Sequence, residues 1–245
     1  MLTSLGVFLN REEIKRLKLK FNKRAVLGSV AILATIFLIL QKLKSEKILA
    51  WYSVNSTANS PFLEPGDIVF TSRFSPIEKN DFVVYERNDP EYGFGTYIFR
   101  LKGVGGDTIQ MKKGQLFVNG DNSDTNLNLK YSYLASNSEF QKIKKIDNNV
   151  EFFLVQEDTY IIQLDNHSKN SLDFSLVPRE FEVDVSIQQN NDILGTSGSF
   201  DNFSPVIVPK GKVFVLGDNR HNANDSRNIG FINQETILSK VIWKL

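Results

Sequence analysis

Gly217-Asp218-Asn219-Arg220-His221-Asn222-Ala223-Asn224-Asp225-Ser226-Arg227 is the stretch from which the rest of this 245-residue chain is read. It follows a strand-like run, Val213-Phe214-Val215-Leu216, and sets two acids and two arginines among turn-forming residues. Working outward, more short β-rich runs appear: Ile68-Val69-Phe70, Phe82-Val83-Val84-Tyr85, Tyr97-Ile98-Phe99 and Leu116-Phe117-Val118. They are broken by Pro65-Gly66-Asp67, Asn80-Asp81, Gly105-Gly106-Asp107 and Asn119-Gly120-Asp121, and Asn119-Gly120 is a hairpin signal. No long helical period follows residue 50, so the expected body is mostly β. Residues 121–205 differ, being rich in Asn, Ser and Asp, with strands expected at Val150–Val155, Tyr160–Leu164 and Phe181–Ile187. They read as a smaller β subdomain inserted between two hairpins of the main sheet, with loops at Asp121–Asn128 and Asn190–Phe203.

Bulk composition limits the classes of function. Apolar residues make up 41%, enough for a packed core. The net charge is +1, but residues 1–47 hold ten Lys/Arg against three Glu, a local +7 balanced by −6 in the remainder. That split suits a basic region beside anionic lipid and argues against a body that binds nucleic acid. With no cysteine there is no disulfide or thiol chemistry. His167 lies in a polar turn without metal-ligand spacing, so neither a metal nor a cofactor is expected.

Ala25 to Leu40 is a run of 16 residues without a charge. As a helix it spans about 24 Å, short of a hydrocarbon core of about 30 Å. Lys23, Arg24 and Lys42 can extend along the axis and close that gap. The run is read as a membrane anchor over residues 25–41, preceded by a basic amphipathic segment over 1–24 that includes a helix from Arg11. Seven basic residues precede the run and three follow it before residue 48. By the positive-inside rule the N-terminus is cytoplasmic and residues 48–245 form an extracytoplasmic domain.

The opening stretch resembles GDNRxxSxDSR, the last box of the type I signal peptidases (leader peptidases), which are Ser/Lys-dyad serine endopeptidases. Ala223 stands where that pattern has Ser. Asn55-Ser56-Thr57-Ala58-Asn59-Ser60-Pro61-Phe62-Leu63-Glu64-Pro65-Gly66-Asp67 is similar to the nucleophile box PSGSMxPTLxxGD, with Pro61, Leu63, Gly66 and Asp67 holding the register. Lys79-Asn80-Asp81-Phe82-Val83-Val84-Tyr85 resembles KGDxVVF. Phe99-Arg100-Leu101-Lys102-Gly103-Val104-Gly105-Gly106-Asp107 resembles the lysine box KRVIGLPGD. The resemblance implies a signal-peptidase-like antiparallel β core on a single-pass anchor in the bacterial inner membrane, with no cofactor.

It also implies that the nucleophilic Ser position is Ala58, the general-base Lys position is Phe99, and the position that orients the amine is Ala223. In that family a Ser hydroxyl attacks while a neutral, buried Lys takes its proton. Ala58 has no hydroxyl and Phe99 no proton acceptor. Ser56 matches a Ser that helps form an oxyanion hole, which stabilises charge without attacking. Removing only the Ser would strand a buried amine at a cost of about 1–3 kcal/mol, whereas replacing all three groups leaves nothing polar to satisfy. The expected protein is therefore an inactive relative that binds preprotein signal segments, or an active peptidase as its partner. The alternative is an active enzyme with a displaced nucleophile or base, drawn from Ser56, Ser60 and Lys102. On an extended strand Phe99 and Leu101 share one face and Arg100 and Lys102 the other, so Lys102 points away unless a bulge intervenes. Arg100, Asp218, Arg220, Asp225 and Arg227 are expected to form a partly buried charge network that holds the loops, and His221 to face solvent. Phe62 and Phe99 are expected to narrow the cleft.

Overall fold

The structure is a computed structural model that describes residues 23–46, 48–89, 93–179, 194–195 and 198–245. Most of the basic amphipathic segment, the strand expected at Phe181–Ile187 and much of the loop expected at Asn190–Phe203 lie outside these residues. The chain divides into two units, residues 1–46 and 47–245. The described part of the first is one helix, α1 (Lys23–Ser45), which extends the charge-free run at both ends. Arg24–Leu43 has a mean hydropathy of 2.1, is unburied, and is long and apolar enough to cross a membrane. Ser29 and Thr35, the hydroxyls inside the run, donate to the carbonyls of Ala25 and Ala31 at 3.0 and 2.9 Å, so neither requires water.

The second unit is mostly β. It begins with β1 (Leu49–Ser53), β2 (Ile68–Ser72), β3 (Phe82–Asp89) and β4 (Gly93–Val104), followed by β5 (Thr108–Lys112), β6 (Gln115–Val118) and β7 (Asp121–Asn122). Next come β8 (Lys130–Ser136), α2 (Asn137–Ile146), β9 (Glu151–Gln156), β10 (Thr159–Asp165), α3 (Asn166–Asn170) and β11 (Val177–Pro178). The chain closes with β12 (Phe203–Ile207), β13 (Lys212–Leu216), α4 (Ser226–Ile229), β14 (Ile232–Asn233) and β15 (Ile237–Lys244). All pairings between these strands are antiparallel.

Three sheets result, ordered β1-β2-β15-β3-β4-β13-β14, β12-β5-β6-β7 and β11-β8-β10-β9. Phe82 to Tyr85 of β3 are all buried, as a central strand covered on both faces requires. Asn119 and Gly120, at φ 54° and 91°, turn β6 into β7 as the hairpin signal predicts. Both ends of the 121–205 stretch join the second sheet, since β7 pairs with β6 and β12 with β5. The third sheet lies between them and has its own core of Tyr133, Phe140, Ile143, Ile162 and Leu164.

One expectation is corrected. A ten-residue helix, α2, stands where no helical period was read. Its start is marked in the sequence: Ser136 caps the Glu139 N–H and Glu139 reaches back to Ser136, a reciprocal capping box. Phe140 and Ile143 supply a narrow apolar stripe onto β8 and β10. Ser136→Ala is expected to cost about 1 kcal/mol, read as a lower urea midpoint for the loss of near-ultraviolet circular dichroism.

Candidate functional site

Ala58 lies in a single 3-10 turn, Thr57–Asn59, whose cap is Ser56; the Ser56 Oγ accepts the Ala58 N–H at 3.1 Å. The box after β13 is stitched to this turn. The Asn219 N–H donates to the Ala58 carbonyl at 3.0 Å. The Asn219 and Asn222 amides donate to the Thr57 carbonyl and hydroxyl at 3.2 and 3.0 Å. Phe99 arrives from β4. The three meet at Gly217, where a Cβ would lie 2.4 Å from the Ala58 carbonyl oxygen, 2.5 Å from the Ala223 Cβ and 3.2 Å from the Phe99 ring. Only glycine fits there.

The structure thus brings Ala58, Phe99 and Ala223 together in one apolar cluster with Val83, Leu101 and Val215. A polar intruder is Tyr85, whose ring lies 6.4 Å from that of Phe99 and whose buried hydroxyl has no hydrogen-bond partner among the described residues. Burial pushes the Tyr85 phenol up, so it stays protonated. Above the cluster opens a cleft of about 850 Å³, lined by Tyr52–Ser56 on one side, Thr96–Phe99 on another and Asn222–Asn224 on a third. Phe99 is 5% exposed and forms part of the floor. Phe62 stacks on Phe82 at 5.2 Å and is not among the lining residues.

The Ser60 hydroxyl and the nearby amine are committed elsewhere. Ser60 is fully buried and donates to Glu64 Oε2 at 2.6 Å. Lys102 is also fully buried; its Nζ donates to Asn80 Oδ1 and the Ser123 carbonyl at 2.7 Å and pairs with Asp124 at 3.2 Å. The β4–β13 register does shift opposite Lys102, between Phe214 and Val215, yet the amine remains on the face away from Ala58. Burial pushes that amine down to about 8, against the pull of Asp124.

The charged residues of the box are nearly water-free, more deeply buried than expected. Arg100 clamps Asp218 at 2.7 and 2.5 Å, and Arg227 clamps Asp225 at 2.9 Å with both nitrogens. Arg220 reaches outside the expected network to Asp124, at 2.6 and 2.5 Å. Burial would raise the Asp124 carboxyl, but the Arg220 guanidinium, helped by Lys102, holds it down at about 2. Arithmetic could have flagged this partner: Arg100, Arg220 and Arg227 outnumber Asp218 and Asp225 by one. His221 corrects a second expectation, since its ring is 4% exposed rather than solvent-facing. Its Nδ1 accepts the Ser132 N–H at 3.0 Å, leaving the proton on Nε2, which lies 3.1 Å from Asp201.

Residues 24–245 match the family described as "Signal peptidase, peptidase S26". The signal peptidase I of Buchnera aphidicola subsp. Baizongia pistaciae is 26% identical over 94% of this chain and 80% of its own length. That of Streptococcus pneumoniae is 27% identical over 85% of this chain and 88% of its own. A crystal structure of a signal peptidase I from Enterococcus faecalis covers 68% of this chain and 97% of that one, at 19% identity and a TM-score of 0.33.

Asp124→Asn leaves Lys102 and Arg220 buried without their carboxylate and is expected to cost about 3–5 kcal/mol in urea unfolding. In the parent, the folded Asp124 binds its proton less readily than the unfolded one does. Its contribution is therefore complete above about pH 4 and is lost as the pH falls toward 2. Asp124→Asn should flatten the thermal midpoint across that window. Tyr85→Phe removes the unsatisfied hydroxyl and should raise stability by about 1 kcal/mol, measured in the same unfolding experiment.

Proposed function

This chain belongs to the signal peptidase, peptidase S26, family, and we propose that it is a membrane-anchored member that holds preprotein signal segments without cutting them. The observation that carries this reading is the meeting of Ala58, Phe99 and Ala223 at Gly217. If these are the nucleophile, base and orienting positions, the centre contains no hydroxyl to attack and no amine to take a proton. Ser56 caps a turn, Ser60 is closed on Glu64, and Lys102 lies on the other face of β4. The burial of Ser60 and Lys102 counts against them as displaced groups, whereas Ser56 lines the cleft and remains the candidate of that alternative.

The cleft supports binding. Between Gly93 and Phe99, β4 pairs with β3 on one side and with no described strand on the other. Thr96–Phe99 of that edge line the cleft, and the Ile98 carbonyl points away from β3 to accept the Asn59 amide at 2.7 Å. An extended peptide can add to such an edge by backbone hydrogen bonds while its side chains enter the space above Ala58. In this reading α1 spans the bacterial cytoplasmic membrane and the basic residues before it stay inside. Residues 48–245 then lie outside, with 121–205 as the insertion.

The test is cleavage of an Ala-x-Ala preprotein by the purified full chain in detergent. The parent is expected to give none. Ala58→Ser/Phe99→Lys, with and without Ala223→Ser, is expected to cut at the Ala-x-Ala site, because the cleft still positions the substrate. A fluorescent signal peptide should bind the parent by anisotropy. Specific cleavage by the parent, or failure of the parent to bind the peptide, would overturn the proposal.

A further inference from the structure

The third sheet ends differently on its two sides. At one edge, β11 is only Val177-Pro178, and Pro178 has no N–H to offer another strand. At the other, β9 pairs with β10 and, among the described residues, with no further strand. Proteins blunt such edges with charge, proline or short length. On β9 no charge or proline interrupts the run and the one bulge, at Val155, comes late: Phe152, Phe153, Leu154 and Val155 are 41%, 60%, 60% and 51% exposed.

Both faces of the edge are apolar. Phe152 packs on Phe140 of α2 with ring centroids 4.5 Å apart, so Phe153 lies on the opposite face by strand alternation. There Phe153, Ile161, Leu134 and Val177 are successive partners across the four strands, forming one apolar row. Leu134 and Val177 are themselves 37% and 64% exposed.

The edge is complementary to itself. Two copies of β9 antiparallel about a two-fold axis normal to the sheet pair residues of the same face, and an axis at Phe153 sets Phe153 opposite Phe153 of the second copy. Phe152 then faces Leu154, and Glu151 faces Val155, where β9 carries a bulge, so no like charges meet. Charge agrees at the strand ends. Lys144 sits over the Phe152 ring at 5.4 Å, near the start of β9, with Lys145 beside it. The exposed Glu157 and Asp158 follow its end. The two-fold carries the basic end of one copy to the acidic end of the other. Pro178 closes the far edge of each sheet, so pairing ends at two copies instead of propagating.

We infer that β9 is a self-association edge, through which two copies of this chain join their third sheets into one continuous sheet. This does not depend on what the cleft binds. The chain has no cysteine, so introduced thiols report without interference. The full-length Phe153→Cys chain in detergent under mild oxidation is expected to yield a disulfide-linked dimer, with none from Phe74→Cys, an exposed position in the bend after β2. Sedimentation in density-matched detergent should give a dimer whose dissociation constant rises about tenfold or more in Phe153→Lys/Leu154→Lys, as loss of several apolar cross-strand pairs requires. Both side chains face solvent, and an unchanged circular dichroism spectrum would show that the variant is folded. Glu157→Lys should weaken pairing, and adding Lys144→Glu in the same chain should recover it. A monomeric parent, a monomer that instead captures an extended peptide or lipid at β9, or a dimer indifferent to the β9 changes would overturn the inference.

Discussion

The Arg220 guanidinium, 2% exposed and closed on Asp124, is the constraint around which the second unit is arranged. A buried cation is tolerated only when its donors are fully engaged. Arg220 meets that demand with both Asp124 oxygens, the Gly217 carbonyl at 3.2 Å and the Gly114 carbonyl at 3.4 Å. Its backbone is tied as well: the Arg220 N–H donates to Lys130 and the Lys130 N–H donates to Asp218, both at 2.9 Å. One side chain thus fixes the box, the β5–β6 turn and the first strand of the third sheet. Asp124 in turn takes the Leu116 N–H at 2.7 Å, so the second sheet is held by the same carboxylate.

This scaffold and the cleft floor occupy opposite faces of one strand. Along β4, Phe99 and Leu101 enter the apolar cluster under the cleft, whereas Arg100 and Lys102 enter the ionic layer behind it. Strand alternation separates the two functions by a single residue step. The floor can therefore be stripped of polar groups while the ionic layer stays whole. Tyr85 marks the limit of that independence. Its hydroxyl points into the apolar side and is left without a partner there.

How much of this was legible in the sequence depended on whether the signal was local. The strands at Phe82–Tyr85 and Val213–Leu216 were, because runs of β-branched and aromatic residues between turn formers need no distant partner to be read. The meeting of Ala58, Phe99 and Ala223 was legible only through the resemblance, since nothing local relates positions so far apart in the chain. Asp124 was hidden in a loop-like stretch, and its role depends on an arginine 96 residues away. His221 was misread for the same reason: its burial comes from Ser132 and Asp201, which the fold alone brings near. The α2 helix was missed although its capping box was present, because its apolar stripe is only a few residues long.

With no Cβ at Gly217, Ala58 and Ala223 stand closer to one point than side chains around any other residue could. That crowding leaves no room for a reactive group to arise at the centre itself. Larger side chains at Ala58, Phe99 or Ala223 can extend only toward the cleft. Gly217 thus sets the depth of the cleft: its floor cannot sink, and any change in it must rise toward the open side.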